Sequence, residues 1–377
     1  MNKLLPLFVV CAALLSSCQN TPGKKTAAVP VPAPVVIAPV APPEPMAIQD
    51  DADVLARKAQ FIIETAKKFN IPESQVREVL QQAQYKQSIV NAMSRPAEAT
   101  KTWAQYRPIF VTETRIAQGR KYLSENRVEV EKVANQTGVP AEIILAIMGV
   151  ETGWGQNMGS YRVLDALYTL AFYYPIINGK TNPARSAFFT DELSQVFALS
   201  KEEGFDLLSL KGSYAGAMGL GQFMPSSYRK YAVDGDGDGK RDLFNSKQDA
   251  FASIANYFIG FGWQPGKPTF IRASAAADAT PFKPDNWEPN FSLAALKAKG
   301  YTPNMPVADL PATLLTLEGA QGTEYWIGFK NFWVITRYNR SPMYAMAVYQ
   351  LAQEIAQRPY NITPLISDVE QKSSAAQ

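Results

Sequence analysis

Pro140-Ala141-Glu142-Ile143-Ile144-Leu145-Ala146-Ile147-Met148-Gly149-Val150-Glu151-Thr152-Gly153-Trp154-Gly155 carries the pattern that decides the fold of this chain. Proline suits a helix start, and the ten residues after it are apolar apart from Glu142. A helix that is apolar on all sides is a core helix, so the segment predicts a helical body built around it. Glu151 then emerges at the end of that helix, beside Trp154 and two glycines that stop the helix and leave room for a ligand. A carboxyl in such a place loses hydration of its charged form and faces the negative helix C-terminus. Both effects raise its pKa, as a general acid near neutral pH requires. On these residues alone, a buried glutamate paired with an arginine or with backbone donors is an equal alternative.

Composition limits the chemistry that can surround Glu151. The 377 residues contain no histidine, which excludes Ser-His-Asp and Cys-His catalysis and histidine-ligated zinc or haem. The two cysteines, Cys11 and Cys18, both lie at the extreme amino end, so the folded body offers no thiol nucleophile, disulfide or thiolate metal site. Carboxylates, tyrosine, lysine, hydroxyls or an oxygen-ligated ion must carry any reaction. A net charge of +3 with cations and anions interspersed gives no basic stripe, and nucleic acid is not expected as a partner. The hydrophobic share of 46% is enough for a large core.

Outward from the core helix, apolar residues at spacings of three and four mark further helices. They run through Val54 to Leu80, with Pro72-Glu73 at a helix start, then Thr114 to Ala134, Ala187 to Glu203, Lys247 to Phe261 and Pro342 to Gln357. Thr269 to Arg272, Ala312 to Leu317 and Tyr325 to Ile327, separated by Gly, Pro and Asn, read as short strands. The fold class is therefore mainly α (α+β), a helical core with an additional helical region and a small strand-containing insertion. Between Gly212 and Tyr228 the glycines permit close backbone approach, while Ser213 and Gln222 offer hydrogen bonds to acetamido and hydroxyl groups of a sugar. Phe223, Tyr257, Tyr338 and Tyr344 offer flat faces for pyranose rings. Asp234-Gly235-Asp236-Gly237-Asp238-Gly239-Lys240 places three carboxylates at alternate positions with glycine sixth, the arrangement of an EF-hand loop around calcium. The closing glutamate of a standard loop is replaced by Asn245. With histidine and cysteine missing from the body, Ca2+ in a structural role is the expected cofactor, with no organic one.

The amino terminus reads as an address. Met1-Asn2-Lys3 is a short positive head, and Leu4 to Leu15 an apolar run of signal-peptide length. Leu15-Ser16-Ser17-Cys18 resembles the lipobox of bacterial lipoproteins, so cleavage is expected before Cys18 and lipidation on its sulfur. Each buried methylene of the acyl chains adds about 0.8 kcal/mol, which makes such an anchor stable. Gln19, not the aspartate that usually causes inner-membrane retention, points to the periplasmic face of the outer membrane. From Thr21 to Met46, Pro, Ala and Val dominate, as in an extended spacer reaching about 3.1 Å per residue.

Several separated blocks closely resemble the membrane-bound lytic murein transglycosylase B family of cell-wall lyases. They are Gly149-Val150-Glu151-Thr152 with Trp154-Gly155, Leu164-Asp165-Ala166-Leu167, the run Gly212 to Tyr228, and Ile335-Thr336-Arg337-Tyr338-Asn339 with Ser341 and Tyr344 to Val348. The likeness covers about Trp103 to Gln353 and implies a lysozyme-like core in which Glu151 is the single acid/base. It implies that Ser213, Gln222, Tyr338 and Tyr344 line the cleft, with Tyr106 near its rim. It also implies that Asp249 closes the metal loop with Asp234, Asp236, Asp238 and the Lys240 carbonyl. Where the best-known members carry paired arginines, this chain offers Arg185 alone, after an apparent insertion at 176–184.

The resulting division is a signal peptide at 1–17, lipidated Cys18 and linker at 18–47, a helical region at 48–120, and a catalytic core at 121–265 containing the loop 234–249. The strand-containing insertion follows at 266–332, a helical segment returning to the cleft at 333–360, and a tail at 361–377. The implied reaction is cleavage of the MurNAc-β-1,4-GlcNAc bond of peptidoglycan with a 1,6-anhydro-MurNAc product. The partners are then glycan strands and, through the lipid, the membrane. A lysozyme-type hydrolase and a non-catalytic wall-binding lipoprotein are the two alternatives.

Overall fold

A computed structural model describes residues 50–94 and 101–358. The expected signal peptide, Cys18, the linker and the tail therefore lie outside the described residues. From the amino end come α1 (Ala52–Phe69), α2 (Glu73–Gln81), α3 (Gln87–Met93), α4 (Trp103–Phe110), α5 (Glu113–Glu125), α6 (Arg127–Thr137) and α7 (Ala141–Thr152). Next are β1 (Tyr161–Arg162), α8 (Val163–Phe172), α9 (Pro183–Glu203), β2 (Lys211–Gly212), α10 (Pro225–Tyr231) and α11 (Lys247–Gly260). The chain then adds β3 (Phe270–Ala275), α12 (Leu293–Ala298), β4 (Tyr301–Pro303), β5 (Thr313–Gly319), β6 (Gly322–Gly328), α13 (Lys330–Tyr338) and α14 (Pro342–Ile355).

The apolar segment quoted first is α7, and every residue in it except Glu151 is buried. Helices α5, α6, α11 and α14 surround it, so its one half-exposed side chain stands where this packing opens. The stop is built by Gly153, which takes the left-handed conformation (φ 58°, ψ 44°) and donates its N–H to the carbonyls of Gly149 and Met148. At Gly149 the Trp154 ring lies so close that an added Cβ would sit 2.5 Å from Cζ2. The indole N–H of Trp154 donates back to the Leu145 carbonyl at 3.0 Å, folding the chain against the helix it has just left.

Two expectations are corrected. The helix read through Thr114 to Ala134 breaks at Asn126, whose amide donates to the Tyr122 carbonyl at 2.8 Å and whose Oδ1 accepts from Lys247. Side-chain competition for backbone groups makes Asn a poor interior residue, and here it divides α5 from α6. The boundary drawn at 120/121 accordingly cuts through α5. Helix α8 was not read from periodicity because all ten of its residues are buried, leaving no polar face to mark a period. Its Asp165 is structural: it accepts from the Gln84 backbone N–H at 2.8 Å and pairs with Arg162.

Strands β3 to β6 form an antiparallel sheet in the order β4-β3-β6-β5. Alternation gives the sheet two faces: Leu315, Leu317 and Trp326 pack into the main core, while Leu314 and Ile327 join Leu296 of α12 in a separate small core. The insertion is thus fixed to the helical body by one face and closed by its own helix on the other.

Candidate active site

Glu151 leaves the C-terminus of α7 and meets Tyr344 of α14, whose hydroxyl donates to Glu151 Oε1 at 2.6 Å. Ser341 caps α14 by accepting the Tyr344 N–H at 3.2 Å, which fixes the first turn that carries the tyrosine. Tyr338, at the end of α13, donates its hydroxyl to the Gly221 carbonyl. The segments 149–153, 219–222 and 338–344 therefore converge. A further tie was not legible in the sequence: the Thr152 hydroxyl lies 3.1 Å from the Met148 carbonyl and 3.0 Å from that of Leu220, and it accepts the Gly155 N–H at 3.0 Å. It links the end of α7 to the glycine-rich segment across 68 positions of sequence.

Burial pushes the Tyr344 and Tyr338 phenols well above their ordinary value, and the nearby charge of Glu151 pushes in the same direction. Both remain protonated donors at neutral pH. Tyr257 is also raised by burial, with Tyr231 adding to it, and donates to the Arg337 carbonyl at 2.7 Å.

Other residues singled out in the sequence fall into distinct positions. Gln222 sits half-buried with a left-handed backbone (φ 51°), and its amide nitrogen donates to the carbonyls of Met158 and Gly219. Ser213 uses its hydroxyl oxygen to accept from the Ala215 and Ala217 N–H groups. Phe223 and Tyr257 are corrected: they are 2% and 7% exposed, with ring centroids 5.7 Å apart and each beside Tyr338. They form an aromatic layer beneath the site and present no open face to a sugar, and Tyr344, also 2% exposed, is corrected likewise: it meets the site through its hydroxyl and not through its ring face. Tyr106 is likewise corrected from rim to interior, being 2% exposed within the field of Tyr344. In both cases an aromatic flanking a glycine-rich or polar segment served packing, because rings of this size gain most by full burial. Arg185 stands exposed near the start of α9 with its guanidinium over Phe188 and Phe189, at 5.0 and 4.9 Å from their centroids.

In the acidic loop, Asp234, Asp236 and Asp249 each offer an oxygen within 4.8 Å of the others. Asp249 is buried at the third position of α11, where it accepts N–H groups from Gly235 at 2.8 Å and Asp242 at 2.6 Å. Burial raises its pKa and Asp236 adds to the rise, while backbone donors led by Gly239 lower that of Asp234. Asp238 stands outside the trio, its Oδ1 accepting the Lys240 N–H at 2.8 Å.

A mainly helical, lysozyme-like fold sets this half-exposed glutamate at the end of a buried helix, beside a tyrosine and a glycine-rich segment. The chain belongs to the transglycosylase SLT domain family, whose model matches residues 54–353. It is 38% identical over 365 residues to membrane-bound lytic murein transglycosylase B of Escherichia coli, covering 94% of this chain and 96% of that one. The crystal structure of the soluble lytic transglycosylase SltB1 of Pseudomonas aeruginosa superposes with a TM-score of 0.74 at 45% identity, over 80% of this chain and 98% of that one. The lytic transglycosylase Slt35 of E. coli, in complex with calcium, superposes with a TM-score of 0.71 at 39% identity, over 80% and 92%. The protein is an enzyme, a lytic transglycosylase of peptidoglycan.

Tyr344→Phe keeps the buried ring and deletes only the donor to Glu151. Turnover on purified sacculi should fall about tenfold, the kinetic equivalent of a hydrogen bond to a charged group, with little change in the thermal midpoint. Unchanged turnover would show that the contact does not matter to the reaction.

Proposed function

We propose that Glu151 alone supplies acid and base for cleavage between MurNAc and GlcNAc. Glu151 gives its proton to the bridging oxygen as the bond from that oxygen to MurNAc C1 breaks, and GlcNAc departs with a free 4-hydroxyl. The N-acetyl carbonyl of MurNAc supports the cationic carbon. The C6 hydroxyl of the same sugar then bonds to C1 and passes its proton to the Glu151 carboxylate, which restores the enzyme and leaves a 1,6-anhydro end. Water is not consumed, and capture within one sugar gains from high effective concentration.

The observation that carries this reading is the 2.6 Å contact between Tyr344 and Glu151 at the open end of α7. A two-carboxylate mechanism needs a second acid across the cleft. Two buried acids of the core helices are engaged in the fold: Asp165 with Arg162 and Gln84, and Glu142, at the far end of α7, with Arg358 at 2.6 Å. Glu151→Gln should abolish release of soluble muropeptides from sacculi while folding and sacculus binding persist. Mass spectrometry of wild-type products should show ends lighter by one water than a hydrolase gives. Reducing ends, or undiminished release by the variant, would reject the mechanism.

We also infer that the 234–249 loop holds calcium through Asp234, Asp236 and Asp249, with Asp238 and the Lys240 carbonyl completing the shell. Three oxygen donors already gathered in the chain suit a hard cation, and a relative of this fold was crystallised with calcium. The ion would tie the loop to the first turn of α11 and needs no part in the reaction. A hundredfold excess of calcium over its Kd should stabilise the protein by about 2.7 kcal/mol, a rise in Tm of about 5 °C. Asp236→Ala should remove that rise; an equal rise in the variant would place the ion elsewhere.

The amino-terminal sequence supports an outer-membrane lipoprotein facing the periplasm, anchored at Cys18. Cys18→Ser should move the protein from the membrane fraction to the soluble periplasm. Retention in the membrane would point to another mode of attachment.

A further inference from the structure

Helices α1 and α9 run beside one another without closing fully, and an open cavity of about 770 Å3 lies between them. That is within the range of pockets that hold small ligands, roughly 300–1,000 Å3. Its walls come from α1, α9, Phe172 at the end of α8 and the segment 174–182, so it is separate from the site that α7, α13 and α14 build around Glu151. The apparent insertion at 176–184 contributes Thr181, Asn182 and Pro183 to it. Phe61 and Phe172, each 3% exposed and in edge contact at 5.9 Å, form an apolar base, and half-buried Tyr174 adds an aromatic ring to the wall. Thr65 of α1 also lines the cavity. It is 1% exposed, and its hydroxyl has no hydrogen-bond partner among the described residues. A threonine inside a helix ordinarily spends that hydroxyl on the carbonyl one turn back, and leaving it buried and unmet is unfavourable.

The opposite wall is a ladder of hydroxyls. Ser186, Thr190 and Ser194 stand at every fourth position of α9, and each already donates to a carbonyl: Ser186 to Ala171 at 2.7 Å, Thr190 to Ser186 at 3.0 Å and Ser194 to Asp191 at 2.7 Å. With their hydrogens committed, these oxygens can only accept from a ligand. The charges of the groove are matched among themselves. Arg57 pairs with Asp53 at 2.9 Å and Lys68 with Asp191 at 2.8 Å, while Glu64 accepts from Gln60. Three acids against two cations leave no positive excess to draw an anion such as an acidic peptide or a phospholipid headgroup. A neutral ligand rich in hydroxyl and amide hydrogens, with an apolar side, fits these walls. We propose that the groove between α1 and α9 is a second saccharide site, which takes N-acetylated sugar units of a glycan strand away from the point of cleavage. The sugar's hydroxyl and amide hydrogens would go to the acceptors of α9, its acetamido carbonyl would meet the Thr65 hydroxyl, and its ring carbons would rest on the aromatic base. This rests on the glycan-strand reading of Glu151, and it adds a hold that would keep the enzyme on the polymer between cuts.

The test uses the full chain in detergent carrying Glu151→Gln, and an N-acetylglucosamine tetramer bearing a photoreactive diazirine. Cross-links mapped by mass spectrometry should fall on peptides of α1 and α9 as well as on the cleft, and excess unlabelled tetramer should suppress both sets. Ala187→Trp, at an exposed position of the groove, should remove the α1 and α9 set and leave the cleft set unchanged. Thr65→Val keeps the shape and deletes the unmet hydroxyl. Labelling of the groove should fall about fivefold, the equivalent of one neutral hydrogen bond, while Tm holds or rises, whereas a purely structural hydroxyl would lower Tm. Absence of labels on α1 and α9, labels there that survive Ala187→Trp, equal loss of both sets in that variant, or undiminished groove labelling in Thr65→Val would each overturn the proposal. So would displacement of the groove labels by free stem peptide or anionic vesicles but not by unlabelled tetramer, which would give the groove another occupant. Lytic activity of the wild-type chain on sacculi is scored separately: cleavage without groove labelling defeats the second site alone, and loss of cleavage defeats the glycan-strand reading.

Discussion

The structure depends on burying a helix that has almost nothing polar to offer. Eleven of the twelve residues of α7 are enclosed, and the one that is not is Glu151. Removing that much apolar surface from water, at roughly 25 cal/mol per Å2, is a large part of what holds the surrounding helices together. The two carboxylates of the helix sit at its ends: Glu142 is paired with Arg358, and Glu151 stands where the helix comes out of the packing. Gly153, the Thr152 hydroxyl and the Trp154 indole close the chain at that point, so the position of the acid follows from how the helix ends.

Opposite Glu151, the site is built from tyrosines whose burial keeps them protonated. A phenol that does not ionise is a fixed donor, and fixed donors around a single carboxyl orient it without competing for its proton. Beneath them Phe223, Tyr257 and Phe258 pack against Tyr338 with centroid separations of 4.8 to 5.8 Å. That layer gives the cleft a rigid base.

Charge is distributed on the same logic. Arg241 and Arg358 are matched by acids within hydrogen-bond distance, and the acidic loop concentrates negative charge at the start of α11, distant in sequence from Glu151. The strands of the four-stranded insertion are committed to two hydrophobic faces. Its place in the chain delivers α13 and α14, and with them Tyr338 and Tyr344, to the cleft.

Periodicity, composition and motif spacing were sufficient for the mainly helical class, the core helix ending in Glu151, the strand-containing insertion and the acidic loop. Each of these is a local property: apolar runs, alternation and carboxylate spacing act over a few residues. Contacts between residues far apart had to wait for the tertiary structure. It placed Tyr106, Phe223 and Tyr257 in the interior, used Asn126 to divide one expected helix, and joined Thr152 to Leu220 across the cleft wall. The physical reason is that an aromatic ring or a hydroxyl has the same local signature whether it faces a ligand or a neighbouring helix. Only the packing of the whole chain decides which of the two it meets.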